Sequence, residues 1–203
     1  MLDSRIRPLI DPGLNFLAGF LERRNVSANQ VTWIGFSLGM LVVPTVVIGW
    51  FNAALILLLI NRLCDGLDGA IARRVGKTDL GGYLDIVLDF IFYSGVVFAF
   101  CLAQPESALY GAFLIFSFIG TGTTFLAFAI MAEKRQIQTS RQGEKSFFYM
   151  AGVAEGFETI LVLGLMCLMP AHFWLLALGF GILCWISTLG RMLNAIRVLK
   201  PLG

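Results

Sequence analysis

Residues 65–89 read DGLDGAIARRVGKTDLGGYLDIVLD, and apolar sequence lies on both sides of them. The stretch places four carboxylates where a hydrophobic chain tolerates them least. Asp65 and Asp68 are three residues apart on a helical pattern, and Gly69 and Ala72 continue the same face. A second stripe repeats every four residues through Gly81, Asp85 and Asp89. Between them, residues 73–79 are polar and contain Gly76, so they form the turn between two antiparallel helices. Four carboxylates thus converge from two neighbouring helices.

Ionised carboxylates this close repel one another, and burial adds a desolvation cost, so the site requires counter-charge. Carboxylate oxygens are hard ligands that suit Mg²⁺ or Mn²⁺, and four acids roughly balance two divalent ions. A two-metal site is the natural reading. Such sites clamp phosphoryl oxygens during in-line displacement, and the small residues beside Asp65 leave room for a substrate. The bland alternative makes the four acids structural partners of Arg62, Arg73 and Arg74.

The pattern Asp65-x2-Asp68-Gly69-x2-Ala72-Arg73, then seven residues, then Gly81-x3-Asp85-x3-Asp89 resembles the signature of the CDP-alcohol phosphotransferase family. That family usually has eight residues before the second glycine, and the shortening here falls in the turn and leaves both acidic stripes intact. The resemblance implies that all four acids, Asp65, Asp68, Asp85 and Asp89, surround two metal ions and that Asp89 is the general base. It also implies that Gly69, Ala72, Arg73 and Gly81 line the CDP pocket. Asn29 and Thr32, with Gly35 after them, resemble the family's segment before the motif, although Ala28 stands where proline is usual; a helix N-cap by Ser27 or Asn29 explains that segment equally well. A homodimer is expected by resemblance alone.

The implied reaction moves a phosphoalcohol moiety from a CDP-alcohol to a hydroxyl and releases CMP. The favoured version takes CDP-diacylglycerol as donor and a small polar alcohol as acceptor, giving a phospholipid; the second takes a soluble CDP-alcohol as donor and diacylglycerol as acceptor. The headgroup is not readable from the motif. Two other classes also use intramembrane acids. A membrane aromatic prenyltransferase also uses two acidic motifs, but in a longer chain. An ion- or proton-coupled transporter would use the acids as a pathway, but leaves the glycines on both stripes unexplained.

Composition agrees with a membrane enzyme. With 203 residues, 58% of them hydrophobic, and a mean hydropathy of +0.82, the chain is too apolar for an ordinary soluble domain. The N-terminus carries Asp3, Pro8, Asp11 and Pro12 where a cleavable signal peptide would be apolar. Cys64, Cys101, Cys167 and Cys184 read as small buried hydrophobes at unrelated spacings. The expected fold is an all-α integral membrane protein with six transmembrane helices, at 31–50, 53–72, 80–103, 108–132, 147–169 and 173–198, each able to cross a hydrocarbon core of roughly 30 Å. The expected division is an N-terminal segment, 1–30, and a catalytic domain, 31–203. Arg5, Arg7, Arg23 and Arg24 mixed with Ile6, Leu9, Ile10, Leu14, Phe16, Leu17 and Phe20 fit an amphipathic helix on the membrane surface, with Asp11-Pro12 as its start, and a solvated helix packing on the loops is the competing reading.

The basic residues cluster at one set of helix ends: Arg23 and Arg24, Arg73, Arg74 and Lys77, Lys134, Arg135, Arg141 and Lys145, then Arg197 and Lys200. By the positive-inside rule both termini and the acidic site face the cytoplasm. Arg191 is a candidate for an anionic group on donor or acceptor, and Glu155 with Glu158 for a cationic or hydroxyl-rich one; mutual pairing of these three is the competing reading. The 134–145 basic loop has two readings, a headgroup-recruiting surface or an ordinary cytoplasmic loop. His172 has no expected catalytic part. Gly35-x3-Gly39 and Gly152-x3-Gly156 are expected to permit close helix packing.

Overall fold

The structure is a computed structural model that describes residues 3–135 and 156–200, with side chains in the first helix described from Ile10 onward. All regular structure among the described residues is helical, without strands. In order they form α1 (Asp3–Arg23), α2 (Ala28–Met40), α3 (Val42–Val47), α4 (Phe51–Val75), α5 (Asp79–Ala103), α6 (Ala108–Lys134), α7 (Gly156–Leu168) and α8 (Phe173–Leu199). Short 3₁₀ turns at Pro105–Ser107 and Pro170–His172 lead into α6 and α8.

Four stretches are long and apolar enough to cross a membrane: Ala28–Val47, Asp79–Ala103, Pro105–Lys134 and Pro170–Leu199. This is a multi-pass membrane protein, and large apolar side chains such as Trp33, Ile56, Leu109 and Leu193 point outward. The remaining expected spans differ in kind. α4 has 25 residues, about 37 Å at 1.5 Å per residue, but carries Arg62, Asp65, Asp68, Arg73 and Arg74. The described part of α7 has 13 residues, and the start of the expected 147–169 span lies outside the described residues.

Two local expectations need correction. The expected 31–50 helix is broken at Leu41 into α2 and α3. Pro44 is the cause: it has no N–H for the Met40 carbonyl, and its ring crowds that carbonyl. The Thr45 hydroxyl oxygen then lies 2.9 Å from the carbonyls of both Leu41 and Val42, and its one proton covers an acceptor at the break. In α1, Asp11-Pro12 is not a start, because the helix runs through it from Asp3. Both sides of Pro12 are held to α4, which offsets the one lost backbone bond. Asp11 pairs with Arg73 at 3.6 Å, and Leu14 is buried beside Gly66, with Ala18 fully buried a turn later.

Caps set the ends of the helices that carry the acids. Ser27 and Gln30 form a reciprocal capping box at the start of α2, so Ser27, not Asn29, is the cap. Gly76 ends α4 at φ +112°, a backbone region that favours glycine. The Thr78 hydroxyl accepts the Gly81 N–H at 3.1 Å and starts α5. The 76–78 turn therefore reverses the chain and sets the two acidic stripes opposite each other.

The apolar core lies toward the far ends of α4 and α5 from that turn. Phe100 stacks between Phe51 and Phe173 at centroid distances of 5.8 and 5.0 Å. Leu58, Phe92, Val96, Leu114, Leu163 and Met166 fill the space around them. Burial at roughly 25 cal/mol per Å² makes this cluster the support on which the charged end is built.

Candidate active site: an acidic cleft on three helices

The charged end contains a cleft lined by Thr32, Gly35 and Phe36 from α2, Asn61, Arg62, Asp65 and Asp68 from α4, and Asp85, Leu88 and Asp89 from α5. All four acids expected at the site are brought together. One carboxylate oxygen from each of Asp65, Asp68 and Asp85 lies within 4.8 Å of the others. Asp68 is buried, Asp65 half-buried and Asp85 exposed, so the trio grades from the interior to the mouth.

Helix α2 packs against both α4 and α5 and forms the back of the cleft. Its glycines make this possible. A Cβ on Gly39 would stand 2.7 Å from Asn61 Nδ2, and one on Gly35 would collide with the Cys64 side chain. The close approach lets Asn61 Nδ2 donate to the Gly35 carbonyl at 3.0 Å. Thr32, one turn before Phe36, donates its one hydroxyl proton to Asp68 Oδ2 at 2.5 Å, with the Ala28 carbonyl 3.0 Å from the same oxygen. The Gly35-x3-Gly39 pair thus packs within the bundle. Gly152 of the second pair lies outside the described residues.

Arg62 is the counter-charge inside the cleft. Its Nη2 stands 2.8 Å from Asp89 Oδ1, and its Nη1 stands 3.6 Å from Asp65 Oδ2. Tyr93 donates to the other Asp89 oxygen at 2.8 Å and accepts from Arg62 Nη1 at 2.9 Å. The structural pairing of acids with Arg62 therefore exists beside the three-carboxylate cluster. Arg73 and Arg74 turn away, to Asp11 at 3.6 Å and Glu22 at 2.7 Å on α1.

The other sequence candidates take several positions. Gly81 lies against Asn29, whose Oδ1 would meet a Cβ there at 3.3 Å. Arg73 folds back toward Gly69 on the same face of α4, leaving its Nη1 3.4 Å from where a Cβ would sit. Asn29, Gly69, Ala72, Arg73 and Gly81 are not among the residues lining the cleft. Arg191 is also outside that lining; it donates to the Thr121 carbonyl at 3.2 Å and lies 6.0 Å from the Phe125 ring centroid. Glu158 sits in the first turn of α7, and Glu155, Arg141 and Lys145 lie outside the described residues. Of the four cysteines, all free thiols, Cys167 and Cys184 are buried as expected, whereas Cys64 and Cys101 are half-buried.

Asn61, Phe36, Leu88 and Tyr93 were not expected at the site. Tyr93 had a visible signal, because it extends the Gly81, Asp85, Asp89 repeat by four more residues. Asn61 had none, since its role depends on the approach of α2.

The donor set fits a hard divalent cation. Three carboxylates can present one oxygen each to a common point, with no sulfur or imidazole among them, which is the ligand chemistry of Mg²⁺ or Mn²⁺.

Residues 25–193 match the family model described as CDP-alcohol phosphatidyltransferase. The chain is 48% identical over 203 residues to inner membrane protein YnjF of Escherichia coli, covering 100% of this chain and 98% of that one. It is 26% identical over 203 residues to archaetidylinositol phosphate synthase of Pyrococcus horikoshii, covering 97% of this chain and 98% of that one. Its fold is similar to the crystal structure of Mycobacterium tuberculosis phosphatidylinositol phosphate synthase with CDP-DAG bound, at a TM-score of 0.57 and 21% identity, covering 91% of this chain and 90% of that one.

Proposed function

Because this chain belongs to the CDP-alcohol phosphatidyltransferase family, we propose that it moves a phosphatidyl group from CDP-diacylglycerol to the hydroxyl of a small polar alcohol and releases CMP. The observation that carries the reading is the convergence of Asp65, Asp68 and Asp85 within 4.8 Å, in one cleft with Asp89. Membership in an enzyme family leaves the transporter and prenyltransferase readings without support.

In this proposal Asp65, Asp68 and Asp85 would hold two divalent ions, with Asp89 in the same cleft as the base. When bound, Mg²⁺ or Mn²⁺ supplies charge neutralisation for a diphosphate. Asp89 takes the proton of the acceptor hydroxyl as its oxygen attacks the phosphorus that bears the diacylglycerol. The bond from that phosphorus to the bridging oxygen breaks, and CMP leaves with that oxygen. Thr32 fixes Asp68. Gly69, Ala72 and Gly81 admit the nucleotide, Asn29 beside Gly81 contacts it, and Arg73 exchanges Asp11 for its phosphates. Arg191 meets an anionic group of the acceptor.

The wider arrangement follows. Six helices cross the bilayer, α4 and α7 completing the four apolar spans, within a catalytic domain of residues 31–203. Residues 1–30 form an interfacial segment whose exposed Ile10, Phe16, Leu17 and Phe20 enter the headgroup boundary. Both termini and the cleft face the cytoplasm, supported by the basic residues beside it. The protein acts as a homodimer.

A donor exchange tests this reading against the second version. Purified protein in detergent is given CDP-diacylglycerol with glycerol 3-phosphate, inositol, inositol phosphate, serine or choline, and in parallel CDP-choline or CDP-ethanolamine with diacylglycerol. The proposal expects product only in the first set. Similarity to an archaetidylinositol phosphate synthase and a phosphatidylinositol phosphate synthase makes inositol phosphate the first acceptor to try. Product only in the second set would transfer the assignment to the soluble-donor reaction.

A further inference from the structure

We infer that Arg62 and Tyr93 are the positioning residues of Asp89, holding its carboxylate so that one lone pair on each oxygen stays open to the cleft. This rests on the transferase reading with Asp89 as base.

The three side chains form a closed ring. Arg62 Nη2 donates to Asp89 Oδ1 at 2.8 Å, Tyr93 donates to Asp89 Oδ2 at 2.8 Å, and Arg62 Nη1 donates to the Tyr93 oxygen at 2.9 Å. A carboxylate oxygen accepts about two hydrogen bonds. One protein donor on each therefore orients the group without exhausting it, and the remaining capacity belongs to a substrate hydroxyl.

The ring is anchored outside itself. Arg62 Nε and Nη2 both donate to Asn61 Oδ1, at 2.9 and 2.5 Å, and Asn61 donates on to the Gly35 carbonyl at 3.0 Å. Each guanidinium nitrogen thus faces an acceptor, counting Asp65 Oδ2 at 3.6 Å from Nη1. The Phe92 and Tyr93 ring centroids each lie 5.2 Å from the guanidinium carbon, and the Arg62 side chain is only 15% exposed. A planar fork held by its acceptors and flanked by rings has little freedom, and a lysine reproduces the charge but not the fork. The chain of bonds runs from the α2 backbone through α4 to α5, so the orientation of Asp89 is set by the packing of all three helices. Neither Arg62 nor Tyr93 belongs to the acidic motif.

The experiment compares wild type, Tyr93→Phe, Arg62→Gln and Arg62→Lys in detergent. It measures kcat and KM for CMP release and, separately, Mn²⁺ affinity by electron paramagnetic resonance. Expected is a drop in kcat of about tenfold or more for Tyr93→Phe, with both KM values and the Mn²⁺ affinity within about twofold of wild type. Arg62→Gln should lose more, and Arg62→Lys should recover part of that loss. Wild-type kcat in Tyr93→Phe, or Mn²⁺ affinity falling in step with kcat, overturns the inference. An active wild type beside an equally active Tyr93→Phe sinks this inference alone; a wild type that releases no CMP with any acceptor sinks the transferase reading and this inference together.

Discussion

The Thr32 hydroxyl donates to Asp68 Oδ2 at 2.5 Å, tying α2 to α4 across 36 residues of sequence. Asp68 is the most deeply buried of the clustered acids, so its orientation depends on this donor. A hydrogen bond to a charged group contributes about 1.5–3 kcal/mol. Thr32→Val keeps the shape and removes the donor; it should lower the rate of CMP release by about tenfold or more and weaken Mn²⁺ binding measured by titration. Thr32→Ser should stay near wild type, and equal losses in both variants would mean that packing, not the hydroxyl, matters.

Close packing of α2 on α4 makes a separate prediction about stability. A methyl group at Gly39 would lie 2.7 Å from Asn61 Nδ2 and 2.9 Å from its Cβ, displacing a side chain bonded to the Gly35 carbonyl. Overpacking of this kind costs about 1–3 kcal/mol. Gly39→Ala should lower Tm in detergent and reduce activity, because Asn61 also seats Arg62. Among the described residues nothing lies within 4 Å of where a Cβ on Gly179 would sit, within α8, and Gly179→Ala should leave Tm unchanged or slightly raised.

Asp11 and Arg73 are both more than a third exposed and 3.6 Å apart, so their pair adds little stability, about 0–1 kcal/mol. If Arg73 binds donor phosphates, its two partners compete for it. Asp11→Asn should leave Tm unchanged and the KM for CDP-diacylglycerol equal or lower, whereas Arg73→Gln should raise that KM several-fold. Matched effects of the two variants on Tm, with no KM change in Arg73→Gln, would make the pair structural only.

The acidic stripes were readable from sequence because helical periodicity fixes which residues share a face. Asp65, Asp68, Asp85 and Asp89 needed only that rule and the glycine turn at Gly76 between them. Thr32 was readable only through its place before the motif. The break at Leu41 was missed although Pro44 marks it, since hydropathy runs on unbroken across 31–50. The start of α1 was misplaced because Pro12 is a helix-start signal locally, while contacts to α4 on both sides of it carry the helix through. Arg62 was noted as a structural partner for the acids, but its choice of Asp89 and Tyr93 spans 27 and 31 residues. Such pairings are decided by how three helices dock, which one-dimensional spacing does not encode.

The most direct test of the central claim is CMP release from CDP-diacylglycerol by wild type and Asp89→Asn, each with Mg²⁺ or Mn²⁺ and again after chelation. The account predicts release by wild type only with metal and with a selective acceptor, and a fall of about 10²–10⁴-fold in Asp89→Asn, the usual contribution of a general base. Release at the wild-type rate by Asp89→Asn, or release that survives chelation, would contradict it.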